Sequence, residues 1–478
     1  MLLIYILLIF IIIFLLRIEL SRIRFNRKFK NIPGPPSYPI IGNSLFFNPK
    51  DIGDYANLIN KVSFATKTKL SVFKQNVLVI REPSAVQKIL SHHAFFEKPW
   101  QFTFFNLPYG LFSAFYPVWK PIRKVTNPAM SQSAVKNMLP VFNKHIDRLC
   151  VKIGQHVGRG SFDIENYFVK FGIEQIFETM VGHQFECSEK MKFAFQDALT
   201  AMIERLLNVF LYNDTLYKMS NKQKRIDETL KLLGDLFVPV IEERQKIYED
   251  GNKNLLIDEL ISKHKEDKAN WPIELLKENF ISILLAGFET TAITIAHAVL
   301  MLAMHPSVDK KLFNEISTFY TPGHELNYDD IKKMDYLDMV VKEVLRLFPA
   351  VPGIPRTSMA DVNIENIGNI PKDTTIIVPT YTMHRDPEIW GPEADKFDPD
   401  NFLPSKIANR HPFAYLPFSA GSRNCIGMHY ANINIRFGLA KILSQYRFTT
   451  NIKFEDLKFK LAVVLVLNGE YSVEIHKR

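Results

Sequence analysis

The chain has 478 residues, 47% of them hydrophobic, a formal charge of +9 and three cysteines. Cys150, Cys187 and Cys425 are too few and too scattered for a disulfide scaffold, and no C-x-x-C or Cys/His cluster offers a structural zinc site. Lys and Arg are spread along the chain without interleaved aromatics, which argues for a solvated basic surface and against nucleic acid.

Residues 1 to 16 are apolar apart from the Tyr5 hydroxyl, and Arg17, Arg22, Arg24, Arg27, Lys28 and Lys30 follow with Glu19 as the one acidic residue among them. No basic segment precedes the apolar run and no small-residue cleavage site closes it, so a retained signal anchor over residues 1–20 is expected. Its basic flank keeps the following chain on the cytosolic face of the endoplasmic reticulum membrane. Residues 21–43 are basic and then rich in proline (Pro33, Pro35, Pro36, Pro39), a rigid hinge between the anchor and a globular domain over 44–478.

Within that domain, KLSVFKQNVLVIREP (69 to 83) alternates like a hairpin of two strands, with further strand signals at TTIIVPTY and LAVVLVLNGEYSVEI. The remainder reads as helix, so the fold class is mainly α with small β-sheets. One helix is expected from Pro272 to His305. Its residues 280 to 303 are apolar nearly all round, as in a helix that crosses a membrane or runs through a large core. Glu289, Thr290, Thr291 and Thr294 in its middle argue for the core, because an ionised Glu is expensive in lipid. Gly287 would let a flat group approach the backbone, and the Thr290 hydroxyl can bond the Ala286 carbonyl and loosen the helix locally. A carboxylate beside a hydroxyl resembles a proton delivery site.

Near the C-terminus, PFSAGSRNCIG places Cys425 in a loop that Gly421 and Gly427 allow to be tight. Backbone N–H groups aimed at the sulfur, together with Arg423, would stabilise a thiolate. As bare chemistry that thiol is a metal ligand, a nucleophile or an inert core group. The spacing of Phe418, Gly421, Arg423, Cys425 and Gly427 is F-x-x-G-x-R-x-C-x-G, which resembles the haem-binding loop of the cytochrome P450 family. The likeness extends along the chain in the family's order. Trp119 and Arg123 match W-x-x-x-R, AGFETT matches the motif of the family's central helix, and Glu343 and Arg346 match E-x-x-R. FDPDNF stands where the family has F-x-P-x-R-F, with Asn401 replacing the arginine, so a charged network of three is incomplete.

The resemblance implies a cytochrome P450 fold and a monooxygenase that inserts one atom of O2 into an apolar substrate such as a fatty acid, a hormone or terpenoid, or a xenobiotic. It implies haem b with Cys425 as the axial thiolate. Trp119, Arg123, Arg356 and Arg423 match positions that contact the haem propionates, Glu289 and Thr290 match the acid and alcohol pair that guides protons into the site, and Glu343 and Arg346 support the loop from a distance. Ala286 stands where some fatty acid hydroxylases carry a glutamate esterified to the haem, so a haem without that bond is expected. The implied partners are NADPH-cytochrome P450 reductase, the substrate and membrane lipid, with no nucleic acid. The aromatic segment 95 to 116 matches the loop that lines the substrate pocket, and LLNVFLY (206 to 212) falls in a region that often dips into the membrane. A haem-thiolate isomerase or dehydratase, or a haem-binding sensor or carrier, would use the same cysteine.

Overall fold

Helix α1 (Leu2–Lys28) opens the chain, and only Ile18 and Phe25 along it are buried. The computed structural model describes residues 1–46, 54–249 and 255–478. Alpha1 is long and apolar enough to cross a membrane. It runs unbroken through residues 21–28, which their charge had placed in the hinge, because Arg and Lys are good helix formers. After it the proline segment folds back, and the Ile40 N–H donates to Glu19 Oε2 at 2.8 Å. Phe25, Phe29 and Ile32 pack in one cluster with Leu78, Ile80, Ile376 and Val378. The C-terminal end of α1 and the segment after it are thereby seated on the body.

Those last residues belong to a four-stranded sheet. Strands β1 (Lys67–Val72) and β2 (Gln75–Ile80) form the expected hairpin, with Lys67 opposite Ile80. Beta3 (Ile354–Thr357) and β4 (Thr375–Val378) complete it in the order β1-β2-β4-β3, β2 and β4 running parallel with Leu78 beside Ile376. The C-terminal strand signal divides. Beta5 (Phe459–Ala462) and β6 (Val464–Leu467) turn back on each other at Val463, whose φ is +68°, while β7 (Ser472–Lys477) leaves to pair with Tyr446–Thr449 and Phe162–Asp163.

Everything else of size is helical. Alpha2 (Tyr116–Thr126) carries Trp119 and Arg123, α3 (Glu165–Val181) packs on the central helix, and α4 (Ile273–Met304) is that helix. Alpha5 (Asp335–Leu347) and α6 (Met428–Gln445) flank it. Alpha4 starts at its Pro272 cap, is about 48 Å long, and is buried on nearly every side. A helix so enclosed must bring its backbone close to its neighbours, which only small residues permit. A Cβ on Gly172 of α3 would stand 2.8 Å from the Phe288 carbonyl oxygen, and a Cβ on Gly287 would stand 2.9 Å from Cδ1 of Ile176. Gly287 therefore lets α4 approach α3 closely at this point.

A methyl-sized intrusion at this contact has nowhere to go. Gly172→Val should lower the stability of the folded protein by about 1–3 kcal/mol, read as a fall in the thermal midpoint. Gly234→Ala, in the Asn221–Glu249 helix with open space where its Cβ would stand, should instead raise stability by up to about 1 kcal/mol.

Candidate active site

The support of the site begins on α5. Arg346 and Glu343 are fully buried and paired one turn apart, Arg346 Nε donating to Glu343 Oε2 and Nη2 to Oε1, both at 2.7 Å. The remaining three N–H groups of the guanidinium donate to the carbonyls of His384, Ala394 and Lys396. All five donors of the side chain are thus used. Glu343 Oε1 also accepts the Asp398 N–H at 2.8 Å and the Asn401 amide at 3.2 Å. The position of the missing arginine is filled by an amide that donates one bond, while Arg410, stacked 3.8 Å over Trp390, and Arg385 are both close enough to feel the charges of Glu343 and Arg346.

His384 carries this order to the cysteine loop. Its Nδ1 lies 3.2 Å from the Arg346 carbonyl and its Nε2 accepts the Leu416 N–H at 2.9 Å, which assigns the proton to Nδ1. Burial and the adjacent Arg346 push its pKa down to about 3, so the ring stays neutral. Nothing in the sequence marked His384, because its two partners lie 38 and 32 residues away.

The loop itself is closed by its own backbone. The Cys425 N–H donates to the Phe418 carbonyl at 2.9 Å, and Asn424 N–H to that of Gly421 at 3.1 Å. Gly421 has φ +72°, and a Cβ there would collide with the Leu90 carbonyl at 2.0 Å, so glycine is required twice over. The Gly427 N–H donates to the Cys425 sulfur. Cys425 is open on one side, yet the protein atoms crowded around its sulfur push the thiol pKa up, while that bond and the charge of Arg123 pull it down. The cation bearing on the sulfur is Arg123 and not the adjacent Arg423. Arg123 donates to Asn424 through its carbonyl and its Oδ1, both at 2.8 Å, and to Asn127.

Arg423 points the other way, donating to the Phe96 and Ala114 carbonyls and stacking 4.1 Å over the buried Trp119 ring. Arg356, on β3, is 3% exposed and donates to the Pro355 carbonyl and the Ser419 hydroxyl. Burial lowers both guanidinium groups, Arg356 to about 10 and Arg423 to about 9. Sequence motifs did not identify Lys98 of the aromatic segment, yet its amine lies close enough to Arg356 and Arg423 to be lowered by both after burial.

On α4, Ala286 is exposed within an otherwise enclosed stretch, with Gly287 and Thr290 partly open beside it. Thr290 Oγ1 donates to the Ala286 carbonyl at 2.8 Å and Thr294 Oγ1 to that of Thr290 at 2.7 Å, and the helix stays continuous through both. Glu289 is 5% exposed and its Oε2 has no partner among the described residues. Burial, with Glu165 adding repulsion, pushes its pKa up to about 8.

An accessible thiol held by a backbone donor, buried cations around it and an open stripe on a helix of the core fit an anionic, flat cofactor bound through sulfur. The cytochrome P450 family profile matches residues 32–475, and the chain belongs to the cytochrome P450 family, enzymes whose haem is held by a cysteine thiolate and whose reaction is monooxygenation. Insect members are among its relatives. It is 29% identical to probable cytochrome P450 313a1 of Drosophila melanogaster, with 92% of each chain covered, and 26% identical to cytochrome P450 4g1 of that species, with 95% of this chain and 90% of the relative covered. Cytochrome P450 4c21 of Blattella germanica is 28% identical over 92% of this chain and 91% of its own.

The unpartnered Glu289 has a measurable signature. Its carboxyl ionises near 4.5 in the unfolded chain and keeps its proton to about pH 8 in the folded one. Across that window the unfolded state binds fewer protons, so rising pH favours unfolding. Denaturant titrations should therefore show wild-type stability falling relative to Glu289→Gln between those pH values and running parallel outside them. Parallel curves throughout would place an unseen partner on the carboxyl.

Proposed function

We propose that this chain is a membrane-anchored haem-thiolate monooxygenase of apolar substrates, supplied with electrons from NADPH by a reductase in the same membrane. In this reading residues 1–20 are the anchor, and the enzymatic body over 44–478 faces the cytosol at the endoplasmic reticulum. The observation that carries it is the accessible sulfur of Cys425, bonded by the Gly427 N–H inside a loop that α5 holds through His384.

Cys425 would hold the iron of haem b, and Trp119, Arg356 and Arg423 its propionates. Arg123, placed among these by resemblance, is spent largely on Asn424 and Asn127 and offsets the charge of the thiolate. Bound haem supplies the activation of dioxygen, with one oxygen atom entering the substrate and the other leaving as water. The chain's own residues do the rest. Glu289, neutral at physiological pH, holds a proton one residue from the Thr290 hydroxyl, so the pair can donate where bulk water is excluded. Ala286 and Gly287 leave the adjoining face of α4 low. The aromatic segment that ends at α2 presents Phe102, Phe105 and Phe112 in mutual ring contact, a wall suited to apolar and bulky substrates. No G-x-G-x-x-G followed by an acidic residue occurs in the sequence, in keeping with NADPH binding to a partner. An isomerase or dehydratase would not need the acid and alcohol, and both are present here.

The test is reconstitution with NADPH-cytochrome P450 reductase and a panel of lipids and xenobiotics, read by product mass. A product heavier by one oxygen atom is expected. Cys425→Ser should abolish both that product and the red-shifted Soret band of the reduced carbon monoxide complex. Survival of the band would move the iron to another ligand.

Haem attachment offers a separate check. Ala286 has no oxygen nucleophile, and the carboxyl of Glu289, nearly one turn further along α4, is buried in the protein. The cofactor should therefore leave completely in acidified organic solvent, with no haem mass on the polypeptide after turnover.

A further inference from the structure

The helix Leu139–Gly154 packs beside α3, and a cleft of about 150 Å³ opens between the two. Each helix lines it with side chains at positions i, i+3, i+4 and i+7, the spacing of one helical face. The floor is apolar. Leu149 and Phe171 are buried there, and Tyr167 presents its ring because its hydroxyl is spent on His156 Nε2 at 2.6 Å. His145, also buried, adds a ring without adding charge, since burial lowers its pKa despite Glu178 standing 2.7 Å from its Nε2.

The rim is cationic. It sets Arg148, Lys152 and Lys170 against Glu174. Lys170 is paired with Glu189, and Lys152 comes no closer to Glu174 than 4.0 Å, while Glu174 also accepts the Cys187 N–H at 3.1 Å. Arg148 is exposed and has no hydrogen bond or ion pair among the described residues, its sequence neighbour Asp147 being turned to Lys441 at 2.6 Å. One unanswered positive charge over an apolar floor is the complement of a monoanion with a carbon body. The volume sets its size: a cavity of about 150 Å³ holds one benzene ring and is well below the roughly 300–1,000 Å³ of a pocket for a drug-sized molecule.

We propose that this cleft binds a small aromatic carboxylate, its ring against Phe171 and its charge on Arg148. The cleft shares no residue with the aromatic wall before α2, so the ligand is an effector and not a substrate. Its line to the active site is short. Phe171 precedes Gly172, where a Cβ would stand 2.8 Å from the Phe288 carbonyl oxygen, and Phe288 precedes Glu289. An occupant that presses on Phe171 therefore bears on the stretch of α4 that carries the acid, through a contact too tight to absorb the shift.

The test uses the full chain as wild type, Arg148→Gln and Arg148→Lys, all at an exposed position that folding does not depend on. Fluorine NMR titrations with 4-fluorobenzoate and with its methyl ester give the affinities, and amide hydrogen exchange gives the place. The acid should bind the wild type more tightly than the ester. Arg148→Gln should weaken the acid on the order of tenfold, the worth of one charge-assisted hydrogen bond, and leave the ester unchanged, with Arg148→Lys restoring part of the loss. Bound acid should slow exchange in 145–152 and 167–174 and alter it in 286–290. Equal affinity of the wild type and Arg148→Gln for the acid, or protection that spares both cleft helices, would overturn the site. So would a Soret shift of the same size in all three proteins, which would put the acid at the cofactor. Displacement of the acid by an equal concentration of inorganic phosphate would make this a bare anion site and refute the aromatic ligand. Protection of both cleft helices with 286–290 unmoved would refute the line to α4.

Discussion

The buried pair of Glu343 and Arg346 is the interaction on which the site's geometry depends. Two charges removed from water cost several kcal/mol each unless every lone pair and proton finds a partner, and here the guanidinium uses all five donors. That requirement draws the carbonyls of His384, Ala394 and Lys396 and the backbone of Asp398 to one point. A helix of thirteen residues thereby organises the irregular chain that follows it. His384 extends the arrangement to Leu416, the residue just before the stretch that leads into the cysteine loop.

From that anchor the electrostatics of the interior separate into two regions. Around the cysteine loop lie cations: Arg123 lowers the thiol, while Arg356, Arg423 and Lys98 crowd against one another. Along α4 lies an acid with no cation beside it, and burial keeps its proton in place. Low dielectric acts in opposite directions on these groups, pushing the basic ones down and the acid up. The result is a centre able to receive an anionic, sulfur-bound cofactor on one side and to hold a transferable proton on the other.

Much of this was legible in short motifs whose members act locally. Glu343 and Arg346 sit one helical turn apart, and Cys425, Gly421 and Gly427 share one tight loop, so spacing alone brings them within reach. Thr290 and Ala286 are four residues apart on one helix, and the hydroxyl-to-carbonyl bond expected from that spacing is present. Asn401 is an intermediate case. The sequence showed that a charge was missing, and the fold shows an amide and a backbone N–H in its place. His384, Lys98 and the bearing of Arg123 on the sulfur left no signal, because each takes its meaning from residues far along the chain.

By itself the sequence determined the apolar N-terminal helix, the predominance of helix, the first hairpin and the identity of the cysteine loop, since each follows from periodicity, turn chemistry or a contiguous motif. Tertiary structure decided the direction in which side chains spend their bonds. Gly287 serves the contact with α3, Arg423 turns to Phe96 and Ala114, and the C-terminal strand signal splits between two sheets. The reason is that burial makes every unpaired polar group and every excess methyl costly. Which partner relieves that cost depends on where other segments pass, and that is known only once the whole chain is packed.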